Sequence, residues 1–458
     1  MKVIVCGAGQ VGYNIAKSLS EEDVDVTVLD RSESLIKKLS DSLDVKGVVG
    51  FASYPESLER AGAADAEMLI AVTQSDEVNM IACEMAHSLF DVPKKIARIR
   101  SQAYLEPQYQ DIFSRDRIPI DVIISPEYEV ARAIMHRMSV PGAFDVVPFA
   151  GDKVRVVGIR IDEHCPVVDT PLRQLTELFP DLNVVVVGIV RGEKLIVPTG
   201  SDQILVGDDV YVVVDRKHVD RTLVIFGHEE KEARKIVIVG GGSVGLFLAR
   251  MLEDSYANVR IKIIERDSAR AEVVADEVRR SIVIIGDAND NELLREANVG
   301  DAETVVSVTN DDRILTLSSL LSKKDGAQKA VTLINNPDYA PLIASLGIDV
   351  SIDPRETTVS TILRHVRRGR IRGLHTLGSG QAEVIEMQAL ATSAIVGKPL
   401  RDLNLPSGVL IGAIIRKGQT VLPRPDTVVE PEDHVVIFAR GDVVRKVERL
   451  FAVGLEFF

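Results

Sequence analysis

Residues 3–12 read Val3-Ile4-Val5-Cys6-Gly7-Ala8-Gly9-Gln10-Val11-Gly12, and residues 236–245 read Ile236-Val237-Ile238-Val239-Gly240-Gly241-Gly242-Ser243-Val244-Gly245. Each is a strand-length apolar run entering a GxGxxG loop that opens a helix. Gly7 and Gly240 suit a tight turn, Gly9 and Gly242 leave room for a pyrophosphate against the backbone, and Gly12 and Gly245 let the helix pack closely. The N–H groups at the helix start and the positive end of its dipole attract phosphate. The spacing therefore predicts two dinucleotide-binding units in one chain.

The residues that follow meet the context such a loop needs. The second apolar run of the first unit, residues 24–29, ends in Asp30, and its counterpart, residues 259–264, ends in Glu265. A carboxylate roughly 20 residues past the loop accepts hydrogen bonds from adenosine ribose hydroxyls and repels a 2′-phosphate. The candidate ligand set is Gly7, Ala8, Gly9, Gln10, Val11, Gly12, Asp30 and Arg31, with Gly240, Gly241, Gly242, Ser243, Val244, Gly245 and Glu265 in the second unit. Thr73 and Thr309, closing the fourth strands, join them. Arg98 and Arg100 close the fifth strand of unit one, where unit two has Leu333 and Asn335. They either reach a phosphate or lie in solvent. Arg31 has three roles open to it: stacking on adenine, neutralising phosphate, or solvation.

Composition narrows the function classes. The chain has 458 residues, 46% hydrophobic and 27% charged, with a formal charge of −14. This is ordinary for a globular chain of roughly three domains. The acidic balance argues against a nucleic-acid partner, and 4% aromatics without Trp supply few stacking platforms. No apolar run approaches the ~20 residues that cross a bilayer. Met1-Lys2 leads into a strand-length run and a glycine loop, which does not read as a signal peptide. Cys6, Cys83 and Cys165 are odd in number and lack metal-ligand spacing, so they read as small buried residues in a reducing compartment. No metal site is predicted, and the expected location is cytoplasmic.

The repeat extends past the loops. Helical spacing at Leu35, Ile36, Leu39 and Leu43 matches Val273, Val274 and Val278. Strands at 45–49, 68–73, 95–100 and 121–125 match those at 281–285, 304–309, 330–334 and 348–352. Alternating apolar strands and helices predict a parallel sheet covered on both faces. Pro126 and Pro354 each open a helix, with Val130, Ile134 and Met138 in the first and Val359, Ile362, Leu363 and Val366 in the second at helical spacing. Two β-rich modules follow these helices. Strands at 154–159, 183–190, 195–197 and 210–214 have counterparts at 383–387, 409–415, 421–423 and 435–438, with turns at residues 191–194 and 416–419. Asp208-Asp209 and Glu432-Asp433 read as solvent-facing turn residues that could otherwise collect a cation. Asp76, Asn79, Asp311 and Asp312 follow the fourth strands and read as caps of the next helices, the alternative being groups that face the far end of the ligand. The run at residues 228–232 separates the halves. Arg364, His365, Arg367, Arg368, Arg370 and Arg372 form the strongest positive cluster, read as a solvated face or as contact with an acidic partner or lipid headgroups.

The fold class expected is α/β: two Rossmann-like, doubly wound parallel-sheet domains (1–125 and 233–352). Each is followed by a connector helix and a small α+β C-terminal domain (126–227 and 353–458). With both halves laid out, the chain resembles the RCK (regulator of potassium conductance) family over nearly its whole length. The resemblance rests on the two glycine loops with Asp30 and Glu265 and on the four-part tandem order. It implies a non-catalytic subunit binding NAD(H), with ATP or ADP as alternative ligands. Such subunits assemble as a ring, here a homotetramer of tandem chains, peripheral on the inner face of the cell membrane. There the ring gates a TrkH-like integral membrane potassium transporter subunit. The competing reading is an NAD-dependent oxidoreductase, which needs a proton donor or base facing the nicotinamide. No histidine recurs at equivalent places in the two halves. A third reading, a structural adaptor, predicts no nucleotide binding at all.

Overall fold

The computed structural model describes residues 1–21, 24–104, 106–179, 182–230, 232–336, 339–366, 371–377 and 381–451. Of the basic cluster, Arg367, Arg368 and Arg370 lie outside the described residues, as do Lys231 of the separating run and residues 452–458 of the last module. The chain divides into two compact units: residues 1–130 with 353–366, and residues 131–352 with 367–458.

In the first unit the order is β1 (Lys2–Cys6), α1 (Gln10–Ser20), β2 (Asp25–Asp30), α2 (Glu33–Ser42), β3 (Lys46–Val49) and α3 (Pro55–Arg60). It continues with β4 (Met68–Ala71), α4 (Asp76–Ser88), β5 (Lys94–Arg98) and β6 (Val122–Ile124). The strands form one parallel sheet in the order β3-β2-β1-β4-β5-β6. Its central strands bury nearly every side chain because helices cover both faces, which is why the sequence shows apolar runs there rather than alternation. Ile4, Leu29, Leu69 and Ala97 form its core with Ala82, Cys83 and Ala86 of α4. Cys6, Cys83 and Cys165 are buried free thiols. Burial, with Asp30 adding to it, pushes the Cys6 thiol up to about 12, so it stays protonated and inert.

α5 (Pro126–Met138) leads into a five-stranded antiparallel sheet. Its elements are β7 (Ala143–Phe149), β8 (Val154–Arg160), α6 (Leu172–Leu178), β9 (Val184–Arg191), β10 (Lys194–Ile196), β11 (Asp209–Asp215) and α7 (Val219–Ile225). The order is β10-β9-β11-β8-β7. The second Rossmann sheet comprises β12 (Lys235–Val239), α8 (Ser243–Ser255), β13 (Arg260–Glu265), α9 (Ser268–Glu277), β14 (Ile282–Ile285) and α10 (Asn291–Glu296). Then come β15 (Thr304–Ser307), α11 (Asp312–Asp325), β16 (Lys329–Leu333), α12 (Ala340–Ser345) and β17 (Val350–Ile352). Its order, β14-β13-β12-β15-β16-β17, repeats the first. α13 (Pro354–Val366) precedes the last module: β18 (Ile371–Leu377), β19 (Ala382–Gln388), β20 (Val409–Arg416), β21 (Gln419–Val421), β22 (His434–Arg440) and α14 (Val444–Phe451). The order β18-β19-β22-β20-β21 is that of the first antiparallel sheet.

The expected α/β class with two doubly wound parallel sheets and two small mixed modules is what the chain adopts. Two strands are additional to the sequence reading. β7 contains Pro148 and a buried Asp145, and β18 (Ile-Arg-Gly-Leu-His-Thr-Leu) has too little apolar alternation to announce itself. Both are edge strands, where proline and polar residues are tolerated.

The two antiparallel sheets share a core in which Phe149, Val156, Val187 and Val213 meet Leu377, Val384, Ala413 and Phe438. A β-carbon on Gly412 would lie 2.5 Å from Val213, and one on Gly188 would lie 2.9 Å from Phe438. A glycine in the long strand of each module, one register position apart, thus lets each sheet approach the other.

Of the turn carboxylates expected in solvent, Glu432 is exposed and Asp209 half-buried, but Asp208 and Asp433 are buried. Asp208 and Asp433 are each 1% exposed. Arg191 donates to both Asp208 oxygens at 2.8 Å, and Arg416 forks onto Asp433 at 3.0 and 2.7 Å. Asp208 also accepts from the Leu205 N–H and Asp433 from the Glu430 N–H. Arginine forks and turn amides use the lone pairs a cation would need.

Asp145 joins three elements. It pairs with Arg137 of α5 at 2.7 Å and accepts from His375 of β18 at 2.8 Å. Burial alone would raise its carboxyl, but Arg137 and His375 outweigh it and hold the group well below the usual carboxylate range. Asp145→Ala leaves Arg137 buried without its counter-charge, so we expect a loss of about 3–5 kcal/mol in denaturant unfolding. Because the folded value is depressed, this stabilisation is complete above the unfolded carboxyl pKa of about 4 and disappears as pH falls through the folded value. Wild type should therefore lose stability on acidification more steeply than Asp145→Ala.

Candidate functional site

β1 ends at Cys6, and the chain reverses at Gly7 with φ +112°, a conformation a side chain would strain. A β-carbon on Gly7 would also lie 3.1 Å from the Thr73 backbone. Ala8 is buried, whereas Gly9 and Gln10 are exposed at the tip. A β-carbon on Gly9 would meet nothing within 4 Å, leaving open space above the loop. One on Gly12 would fall 1.8 Å from the Gly7 carbonyl oxygen. The second loop repeats this geometry: Gly240 has φ +112°, Gly242 is open, and a β-carbon on Gly245 would sit 2.0 Å from the Gly240 oxygen. Val11 and Val244 lie half-buried in the first turn, and Ser243 is exposed.

The helix ends themselves point to an anion. Ser32, Ser75, Asp267, Asp290 and Asp311 cap α2, α4, α9, α10 and α11 with side-chain oxygens. The residues before α1 and α8 are Gly9 and Gly242, with no capping side chain and no acidic residue in the first turn. These starts keep the donors and positive dipole end that those five helices satisfy with their own side chains.

Asp30 closes the loop from the side. Its Oδ2 accepts from the Ala8 N–H at 2.7 Å and its Oδ1 from the Ser32 N–H at 2.8 Å. Glu265 does the same with the Gly241 and Asp267 N–H groups, at 2.7 and 2.9 Å. Each carboxylate therefore shapes its loop, a role the spacing alone did not reveal. Arg31 is exposed beside Asp30. Thr73 and Thr309 flank the loops: the Thr73 hydroxyl donates to Asn79, and a β-carbon on Gly240 would touch Thr309.

The helix-cap expectation holds only for Asp311, which accepts from the Arg313 N–H. Ser75, not Asp76, caps α4. Asp76 instead accepts from the Arg100 and Ser101 N–H groups, and Asp312 from that of Asn335. Asn79, fully buried, accepts from the Thr73 N–H and donates to the Arg98 carbonyl at 2.9 Å. These side chains bind the end of the fifth strand and the loop after it to the helix that precedes that strand. Their signal in the sequence was a polar pair three residues apart on an otherwise buried helix face.

Arg98 and Arg100 converge on Glu127, with Arg100 Nε 3.1 Å and Arg98 Nη2 3.7 Å from its Oε1. Burial pulls the Arg98 guanidinium down from its ordinary value, partly offset by Glu127. Arg98 Nε and Glu127 Oε2 are buried without a hydrogen-bond partner.

Comparison with known proteins agrees with this geometry. The TrkA-N domain pattern matches residues 3–126 and 236–354, and the TrkA-C domain pattern matches 150–227 and 384–452. The Trk system potassium uptake protein TrkA of Azorhizobium caulinodans is 51% identical over 458 residues, covering both chains completely. The chain belongs to the TrkA family. The TrkA of Halomonas elongata is 40% identical, again over all of both chains. Among solved structures, the GsuK RCK domain aligns with 98% of this chain and 94% of its own at a TM-score of 0.61 and 16% identity. The GsuK channel bound to NAD aligns with 98% of this chain and 78% of its own at 0.62 and 15%. At such identities the likeness is one of fold.

Within this chain the two cradles have diverged in a compensated way. Glu265 is one methylene longer than Asp30, and its loop partner is Gly241 rather than Ala8. A β-carbon on Gly241 would lie 3.1 Å from Glu265 Oε2, 3.2 Å from its Cβ and 3.2 Å from Val274 Cγ2. The longer acid thus goes with the smaller loop residue, at a position that Val274 also crowds. Arg270 adds a bond from its Nε to the Gly241 carbonyl at 2.7 Å.

An alanine replacing glycine in an exposed helix gains about 1 kcal/mol. Gly12→Ala should instead lose about 3 kcal/mol or more in denaturant unfolding, since no rotamer relieves a backbone clash. Gly241→Ala should cost on the order of 1 kcal/mol, and Glu265→Asp in the same chain should recover part of it, the part due to Oε2. Additive losses in that double-mutant cycle would show that the two positions do not compete for space.

Proposed function

We propose that this chain is a nucleotide-binding regulatory subunit of a membrane potassium uptake system. In this reading it binds NAD(H), with ATP and ADP as alternative ligands, and carries out no catalysis. The observation that carries the reading is the pair of cradles with uncapped helix starts, open space at Gly9 and Gly242, and Asp30 or Glu265 at the second strand's end. Phosphates would lie on residues 7–12 and 240–245, ribose hydroxyls on the two carboxylates, and the remaining phosphates or nicotinamide toward Thr73, Arg98 and Arg100 or Thr309. The potassium role is supported by the curated relatives, which are Trk system potassium uptake proteins. Nucleotide choice is supported by the solved GsuK structures bound to NAD and ADP. No described helix is long and apolar enough to cross a membrane, so ion passage is assigned to a separate, TrkH-like integral membrane partner. The chain would act as a homotetrameric ring on the cytoplasmic face of that partner.

Gating by such a subunit needs a ligand that binds one conformation more tightly than another. A coupling of about 1–3 kcal/mol changes the open fraction several-fold, whereas equal affinity for both states shifts nothing. Calorimetric titration of wild type, Asp30→Ala and Glu265→Ala with NADH, NADPH, ATP and ADP tests the reading. Wild type should bind NADH and ATP, with NADPH weaker because its 2′-phosphate meets the carboxylate. Loss of a charged hydrogen-bond acceptor should weaken binding by about tenfold or more at each working cradle. Absence of binding by all four compounds, or sustained redox turnover of NADH with a metabolite, would sink it.

A further inference from the structure

We propose that Arg355, carried on the connector helix of the second half, is a phosphate ligand of the first half's cradle. This rests on reading that cradle as a nucleotide site. The helix that bears Arg355 follows the second Rossmann sheet in the chain, yet residues 353–366 belong to the first compact unit. There α13 packs along α1, with Val359, Ile362, Leu363 and Val366 buried. The Lys94 ammonium donates to the His365 carbonyl at its far end.

At its near end, Arg355 Nη1 donates to Gln10 Oε1 at 3.3 Å. Gln10 is the first residue of α1, next to Gly9, where the loop opens onto unfilled space. The Arg355 side chain is only 16% exposed, so it is held at the loop rather than waving in solvent. Its carboxylate neighbour, Asp353, stands 3.8 Å from Nε, beyond hydrogen-bond range, and the same oxygen accepts the Arg355 and Glu356 N–H groups. A guanidinium is thus poised beside an uncapped helix start, hydrogen-bonded to a neutral amide and only loosely ion-paired with Asp353. A phosphate there gains a charge-assisted, potentially bidentate bond.

The internal repeat sharpens the point. The residue after the helix-opening proline is Arg355 in the second half and Glu127 in the first. Glu127 is taken by Arg98 and Arg100 within its own unit, and a carboxylate would repel phosphate. The two connectors therefore carry opposite charges at matched positions, and it is the cationic one that lies against the first loop. Nucleotide bound there would hold the start of a helix that leads onward into the last module.

The test is calorimetric titration of the full chain, as wild type, Arg355→Gln and Arg355→Lys, with ATP, ADP and adenosine. Arg355→Gln should weaken ATP and ADP by about tenfold or more while leaving adenosine within about twofold. Arg355→Lys, which keeps the charge without the planar fork, should fall between. ATP binding equally tight in wild type and Arg355→Gln overturns the proposal, and so does an equal loss for ATP and adenosine, which would make Arg355 a brace for Gln10. Wild type that binds neither ATP nor ADP would instead remove the underlying nucleotide reading. Hydrogen exchange over residues 354–366 supplies a readout independent of the variants: ATP should slow it in wild type, and no change would count against the contact.

Discussion

The carbonyl oxygen of Gly7 lies 1.8 Å from where a side chain at residue 12 would begin, and that of Gly240 stands 2.0 Å from the same point at residue 245. Only a helix without a β-carbon there can come this close to the loop before it. That approach aims the first-turn amides of α1 and α8 at the space over Gly9 and Gly242. It also sets the loop amide of residue 8 or 241 against the carboxylate closing the next strand. Loosening it would displace helix, loop and carboxylate together, because each positions the next.

Duplication allowed the two copies to keep this constraint while changing what surrounds it. The pairs Asp30 with Ala8 and Glu265 with Gly241 solve one spatial problem in two ways, the longer acid being matched by the smaller loop residue. Beyond the loop the copies differ in charge. The first has Arg98 closing its fifth strand and Arg100 just past it, around Glu127, and the second has the buried Leu333 and the neutral, half-buried Asn335 there. The polar staples behind the loops are more alike: Asp76 and Asp312 both reach across to the amides that follow the fifth strand. What was retained is the geometry of a cradle, and what changed is the charge at its rim.

The β-rich modules follow another logic. Each secures its long hairpin with an arginine forked onto a buried aspartate, and the two sheets meet closely at Gly188 and Gly412. Asp145 ties a connector helix of one half to the edge strand of the last module through Arg137 and His375. Buried charges of this kind add little net stability compared with apolar packing, but they penalise misplacement heavily, since an unpaired partner is costly. They define which edges meet.

Much of this was legible in the chain itself. Apolar runs at fixed spacing, the twin glycine loops, Asp30 and Glu265, and the prolines opening α5 and α13 all act over a few residues. Local sterics and hydrogen bonding determine them, and a repeat doubles the signal. What tertiary structure alone decided involves partners far apart in sequence. The burial of Asp208 and Asp433, expected in solvent, depended on arginines one hairpin away. The edge strands β7 and β18 exist because a neighbouring strand supplies hydrogen bonds that their own residues do not advertise. The meeting of Arg355 with Gln10 joins opposite ends of the chain. Short-range propensity has no term for such contacts, because their energy exists only once the fold has brought the two groups together.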